Sequence, residues 1–418
     1  MFSENAHQVV FLHIKRVHAR EILDSRGNPT IEVDVETEGG SFGRAAAPSG
    51  ASTGTHEALE LRDNDGRYLG KGVRRAVQNV NEKIEPMLVG MPIEPLQDID
   101  AHMIELDGTP EKSRLGGNAM VAVSMACARA AAASNSEPLY KYLGGDILPR
   151  AMFNILNGGK HAGGTLSIQE FMIIPDAPTF AERLRIASEA YHTLGKRLVA
   201  KYGPGARNVG DEGGFAPQLK SAAEALEAIE GALVECGYRK GTGIAIDAAA
   251  SSFYDEKKQK YNLDGKSVDA EDLLDFYAGL AKDFGLVSIE DPFFEEDFDT
   301  FAEMTGTLGK RIQVVGDDLL VTNVKRIRTA IEKQSCNALL LKLNQIGTVT
   351  EAIAAANMCR HRKWGVVVSH RSGETEDAFI ADFCVGINAG QIKTGAPARG
   401  ERTAKYNQLL RIEEELGQ

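Results

Sequence analysis

Cysteine is scarce in this chain. Its five cysteines, Cys127, Cys236, Cys336, Cys359 and Cys384, are odd in number, far apart and never arranged as CxxC. That spacing argues against a disulfide framework or a zinc site and reads as buried free thiols in a reducing cytoplasm. Long apolar runs are missing too. None approaches the ~20 residues that cross a bilayer, and Val9-Val10-Phe11-Leu12 is too short for a signal-peptide core. There is no basic surplus either: the net charge of −12 speaks against a nucleic-acid or anionic-membrane surface. No GxGxxG follows a strand, and GxxxxGK[ST] and HExxH do not occur, so nucleotide-driven chemistry is not expected.

What is present suits a soluble enzyme of two units. A chain of 418 residues, 43% hydrophobic and 25% charged, accommodates a barrel of ~250 residues beside a domain of ~100–150. Residues 1–13 read as an N-terminal extension, 14–145 as a small α+β domain and 146–418 as a barrel. Residues 14–38 suggest two strands about a turn at Gly27-Asn28-Pro29, with 30–36 alternating apolar and polar. A Gly/Ser-rich loop spans 44–56, and helical patterns cover 73–89 and 118–133. The barrel opens with a hairpin, MFNILNGGKHAGGTLSIQEFMIIP, rather than a βαβ unit. Helices at 180–202 and 219–237 flank the loop GDEGGFAP (210–217).

Six short apolar runs then end on charged or hydroxyl side chains: GIAID at Asp247, LVSIE at Glu290, IQVVGD at Asp317, ALLLK at Lys342, GVVVSHR through His370 and Arg371, and QIK at Lys393. Their spacing, roughly 20–45 residues, is that of a βαβ step. A (β/α) barrel keeps its chemistry where strands end, so these side chains are expected at one mouth. Three carboxylates there would repel one another unless a cation sat among them, and oxygen-only ligands favour Mg²⁺. One alone would more simply cap the next helix. Lys342 and Lys393, beside a metal, are expected to lose their charge readily, and a neutral lysine can act as a base; the alternative is a salt bridge to a carboxylate. Arg371 and Ser372 suit a phosphate or carboxylate, or Arg371 pairs with Glu374 or Glu376. Glu212 is flanked by glycines and can be held near a ligand, whereas most acidic loop residues are simply solvated. His161 is a turn histidine unless the hairpin tip folds over the mouth. The SGASTG stretch around Ser52 reads equally as a mobile lid or a linker.

Together these segments resemble the enolase family. The stretches that carry the resemblance are DSRGNPTIEV (24–33), PSGASTGTHEALELRD (48–63), NGGKHAGG (157–164), IQEFMI (168–173), NVGDEGGFAP (208–217), SIEDPF (288–293), VGDDLLVTN (315–323), LLLKLNQIGT (339–348), VVSHRSGETED (367–377) and GQIKTGAPARGER (390–402). The resemblance implies an α/β fold: an enolase-type (β/α)8 barrel with an antiparallel first hairpin, preceded by a smaller α+β domain. It implies reversible dehydration of 2-phosphoglycerate to phosphoenolpyruvate with two Mg²⁺, by a cytoplasmic homo-oligomer without nucleic-acid or membrane partners. It makes Asp247, Glu290 and Asp317 ligands of the first metal and Ser52 a ligand of the second. Lys342 becomes the base at C2 and Glu212 the acid at the C3 hydroxyl. Glu170, His161, Gln169, His370, Arg371, Ser372 and Lys393 become substrate contacts. The base must be neutral and the acid protonated, so opposite pKa shifts are expected in one cavity.

Departures from the family are few and touch none of these positions: Ser251-Ser252 precedes Phe253 where the family usually has a glutamate, and Gly400 stands where a serine is commoner. The rival readings are a sugar-acid dehydratase or racemase of the wider superfamily, which the Arg371-Ser372 pair and the SGASTG loop disfavour, and a catalytically silent binding protein, which the full set of catalytic positions disfavours.

Overall fold

The computed structural model describes residues 12–51, 54–162 and 166–418, without the side chains of Lys160 and His161. Ser52, the side chain of His161 and residues 1–11 of the extension thus lie outside the described residues. Leu12 and His13 are not part of a loose arm. Ile93 N–H donates to Leu12 O, and Glu38 N–H to His13 O, each at 2.9 Å.

β1 (Ile14–Leu23), β2 (Pro29–Thr37) and β3 (Phe42–Ala46) form an antiparallel sheet in that order. The alternation in β2 buries Ile31, Val33 and Val35 on one face, while Glu32 and Asp34 accept from Arg20 on the other. β3 takes up the start of the segment read from sequence as a loop. The Ala-rich helix Gly117–Ser134 lies across β2 and β3. It comes so close that a Cβ on Gly43 would sit 2.1 Å from Ala126 O, so only glycine fits there.

The barrel strands are β4 (Arg150–Asn157), β5 (Glu170–Pro175) and β6 (Thr242–Asp247). A small separate sheet follows, β7 (Tyr254–Asp255), β8 (Lys260–Leu263) and β9 (Lys266–Val268). Then come β10 (Leu286–Glu290), β11 (Gln313–Gly316), β12 (Ala338–Leu341), β13 (Gly365–Ser369) and β14 (Gly390–Lys393). The closed order is β10-β11-β12-β13-β14-β4-β5-β6. β5 runs antiparallel to both neighbours, and every other pair is parallel. Strand alternation divides the core. Met152, Met172, Ile174, Ala245, Val315, Ala338, Leu340 and Val367 plug the interior. Phe153, Ile173, Ile244, Leu339, Leu341 and Val368 face the surrounding helices. Each large plug residue contributes on the order of 2 kcal/mol by leaving water.

Helices Phe180–Tyr202 and Ala222–Glu235 begin where Thr179 and Ser221 accept from the N–H groups of Glu182 and Glu224. Helix Ala270–Phe284 opens on an Asp269–Asp272 capping box and ends at left-handed Gly285. The five cysteines are free; four are buried and Cys236 is half-buried, where burial of all five was expected.

Candidate active site

Strand register brings the charged side chains together. Glu170 pairs with Asp247, and Asp247 with Glu290, across three adjacent strands. β5 is reversed, so its first residue reaches the same end as the last residues of β6 and β10. Asp317, Lys342 and His370 each follow directly on β11, β12 and β13, and Lys393 ends β14 beside Ser369. All of them except Glu290 line one cavity, about 460 Å³ in empty volume, together with Glu212, Arg371 and Ser372. Larger grooves, such as one against Lys196–Tyr202, are open to solvent and gather no buried titratable cluster.

Lys393 Nζ donates to Asp247 Oδ2 at 2.9 Å and to Glu290 Oε2 at 2.8 Å, and lies 3.2 Å from Glu170 Oε2. Burial disfavours its charge, but these carboxylates outweigh burial and raise its pKa well above the usual lysine range. One ammonium cannot balance three buried carboxylates. Burial, then the neighbouring carboxylates Glu212 and Asp247 respectively, pushes Glu170 and Glu290 well up. Lys342 Nζ donates to Asp317 Oδ2, and Gln345 Nε2 to Asp317 Oδ1 at 2.8 Å. Burial works against both members of the Lys342–Asp317 pair. Each partner's charge wins, so Lys342 is raised and Asp317 lowered. Lys342 and Lys393 thus follow the salt-bridge alternative: each is paired with carboxylates that favour its charged form. Of the three expected metal ligands, Asp247 and Glu290 accept from Lys393 and Asp317 accepts from Lys342.

Glu212 owes its position to its glycines. Gly213 has φ +85°, and a Cβ on Gly214 would lie 2.2 Å from Asn157 Oδ1, so the loop can dock against β4 only without side chains there. Phe215 N–H donates to Ile155 O and Asn157 N–H to Phe215 O. Glu212 Oε2 accepts from Asn154 Nδ2 at 3.0 Å and lies 3.3 Å from His370 Nε2.

Arg371 does not pair with Glu374 or Glu376 through its guanidinium. Its fork donates to Glu57, Nη1 to Oε2 at 2.8 Å and Nη2 to Oε1 at 3.1 Å, while Glu374 Oε1 accepts from the backbone N–H of Arg371. Ser372 Oγ accepts from Arg26 Nη1 at 3.4 Å. Gln169 Nε2 makes a long 3.5 Å contact with Asp247 Oδ2. Ser49 is tied to the barrel by reciprocal backbone bonds with Gly373, 2.8 Å each. Reading the sequence missed Glu57, Asn154, Asp291, Asp318 and Arg402 as part of this site; Glu57, Asp291, Asp318 and Arg402 sat inside the motifs already singled out.

His370 is buried, and burial pushes its imidazole down to about 4, against the Glu212 carboxylate and with the help of Arg402. The unfolded chain takes up this proton near pH 6.5, where the folded protein refuses it. Its contribution to stability is complete above about pH 6.5 and drains away as pH falls to about 4, a total of roughly 3 kcal/mol. Urea midpoints of the protein and of His370→Gln should therefore diverge as pH rises through that window. A difference independent of pH would refute this burial-driven shift.

The donors fit a hard divalent cation: carboxylate oxygens, without His or Cys in the cluster. Glu170, Glu212, Asp247, Asp291, Asp317 and Asp318 line the cavity against three cations, Lys342, Arg371 and Lys393. Oxygens of Asp291, Asp317 and Asp318 lie within 4.8 Å of one another. Burial, then Asp317, pushes Asp318 up to about 8. Such a surplus of negative charge is what a divalent ion relieves.

Two family models cover the chain, "Enolase, N-terminal domain" over residues 14–143 and "Enolase, C-terminal TIM barrel domain" over residues 145–418. The curated enolase of Methanocaldococcus jannaschii is 58% identical over 408 residues, 97% of this chain and 96% of its own length. That of Thermococcus gammatolerans is 59% identical over 409 residues, 96% and 95% of the two chains. That of Pyrococcus furiosus is 57% identical over 419 residues, 99% and 96%.

Proposed function

This chain belongs to the enolase family and is a hydro-lyase, a phosphopyruvate hydratase, and we propose that it interconverts 2-phospho-D-glycerate and phosphoenolpyruvate plus water in a Mg²⁺-dependent reaction of glycolysis and gluconeogenesis. The observation that carries this reading is the convergence of Asp247, Glu290, Asp317, Lys342 and Lys393 on one barrel mouth, with Glu212 held at the same cavity. Enolase-superfamily sites use a Lys or His base with one or two Mg²⁺, and Lys342 takes that place here.

A C–H next to a carboxylate is a very weak acid, because its loss puts a second negative charge on that group. Asp247, Glu290 and Asp317 would hold one Mg²⁺ and Ser52 would contribute to a second, and the positive charge so supplied would stabilise that dianion. Asp317, whose carboxylate favours the charged form of Lys342, would then be shared with the metal, and Lys342 as the amine would take the C2 proton. Glu212, protonated, gives its proton to the C3 hydroxyl, which leaves as water as the C–O electron pair departs. Release of the proton from Lys342 and reprotonation of Glu212 restore the resting state. Arg371 and Ser372 bind the phosphate, Lys393 lies on the carboxylate side, and Gln169, Glu170, His161 and His370 complete the substrate contacts. The same proposal includes a boundary near residue 145 between the two domains, and a homo-oligomer in the cytoplasm, which rests on the family. Among the described residues, no helix is long and apolar enough to cross a membrane.

The test is direct. Purified protein given Mg²⁺ and 2-phosphoglycerate should produce a rising enol absorbance that a chelator abolishes and fresh Mg²⁺ restores. No rise across a range of Mg²⁺ concentrations would overturn the proposal.

A further inference from the structure

Arg402 is among the largest side chains wholly removed from solvent, and no step above uses it. It sits in the first turn of the last helix, Gly400–Leu416. Its guanidinium is held by backbone carbonyls: Nη1 donates to Arg371 O at 2.7 Å, and Nη2 donates to Ser372 O at 2.6 Å and Asp211 O at 3.0 Å. These carbonyls belong to the segments that carry His370 and Glu212. Arg402 Nη1 also lies 2.6 Å from His370 Nδ1.

Guanidinium nitrogens donate and do not accept. A contact this short therefore requires a lone pair on Nδ1. Neither the imidazolium nor the Nδ1–H tautomer has one there. The ring proton must then sit on Nε2, the atom 3.3 Å from Glu212 Oε2. Asn154 Nδ2 donates to that same oxygen. A carboxyl oxygen that accepts from Asn154 and faces this N–H is a poor place for a proton.

We propose that Arg402 is a positioning residue that fixes His370 as the Nε2–H tautomer, so that the acid form of Glu212 carries its proton on Oε1. This deepens the proposed function and rests on the acid role of Glu212 given there. The role of Arg402 is indirect, through His370, and substrate need not touch it. A neutral imidazole whose orientation and tautomer are set from behind is a familiar way to aim a donor.

Two measurements test it. In ¹⁵N-histidine-labelled protein without substrate, with the His370 signal identified by its absence in His370→Gln, Nδ1 should be pyridine-type and Nε2 should carry the proton. A proton on Nδ1 overturns the proposal, whatever the enzyme's activity. In Arg402→Met, dehydration should fall about 100-fold, while exchange of the C2 proton with solvent stays within about threefold. Arg402→Lys, which still offers a donor to Nδ1, should recover part of the dehydration rate and the tautomer. Equal loss of exchange and dehydration in Arg402→Met would reduce the residue to a purely structural role and also overturn the proposal. Should Arg402→Met fail to fold, the tautomer of the unmodified protein still decides. An absence of any enol signal from the unmodified protein would instead refute the proposed reaction, an outcome distinct from either of these.

Discussion

Replacement of Lys342 by Ala is expected to remove both dehydration and exchange of the C2 proton with solvent, each by at least about 10⁴-fold, the upper end of what a positioned base supplies. Exchange is the sharper measurement, because it needs the base and nothing that follows. The loss could have a duller cause. Lys342 and Asp317 are a largely buried pair, and deleting one partner of a fully buried pair costs about 3–5 kcal/mol, an upper bound here. Gln345 Nε2, still donating to Asp317 Oδ1, would soften that cost. Lys342→Arg separates the explanations. A guanidinium keeps the charge opposite Asp317 but does not give up its proton. That variant should melt close to the unmodified protein and yet fail to exchange, by proton NMR in deuterated solvent. If it exchanges at a normal rate, the base lies elsewhere.

The second large effect is expected at Glu212. Glu212→Gln preserves volume and keeps an oxygen to accept from Asn154 Nδ2, now 3.0 Å from the carboxylate, but it has no acidic proton. Dehydration should drop by about 10²–10⁴-fold, with C2 exchange retained within about tenfold, since the proton at C2 leaves before the hydroxyl does. Parallel loss of both would place Glu212 in the first step or in the scaffold. The two variants thus make opposite demands on one assay: Lys342→Ala should silence exchange, Glu212→Gln should spare it.

Strand ends were legible in the sequence because alternation and run length are local properties. The hairpin at 14–37, the reversed opening of the barrel and the helix Phe180–Tyr202 followed from periodicity and turn residues. β3 was not legible, since its FGRAA segment is short and runs into a Gly/Ser-rich loop. Nor was the small sheet at Tyr254–Val268, though its Asp264-Gly265 turn was a usable hairpin signal. Partners distant in sequence were harder still. Nothing local joins Arg371 to Glu57, 314 positions away, or Arg402 to His370. A metal and other cations expected at the mouth suggested a lysine ready to lose its proton. The carboxylates gathered around Lys342 in the folded site favour its charged form.

The reversed direction of β5 reaches further than its own pairing. A strand that runs back to the barrel floor leaves the chain at the wrong end to start another descending strand, and β6 must start at that same floor, opposite Pro175. The excursion between them therefore needs an even number of helical legs, one climbing and one returning. Phe180–Tyr202 and Ala222–Glu235 are those legs. Their bend hangs over the opening, and Glu212 rides on that bend. Parity of direction, set by a single hairpin, is what carries a carboxyl group to the roof of the barrel.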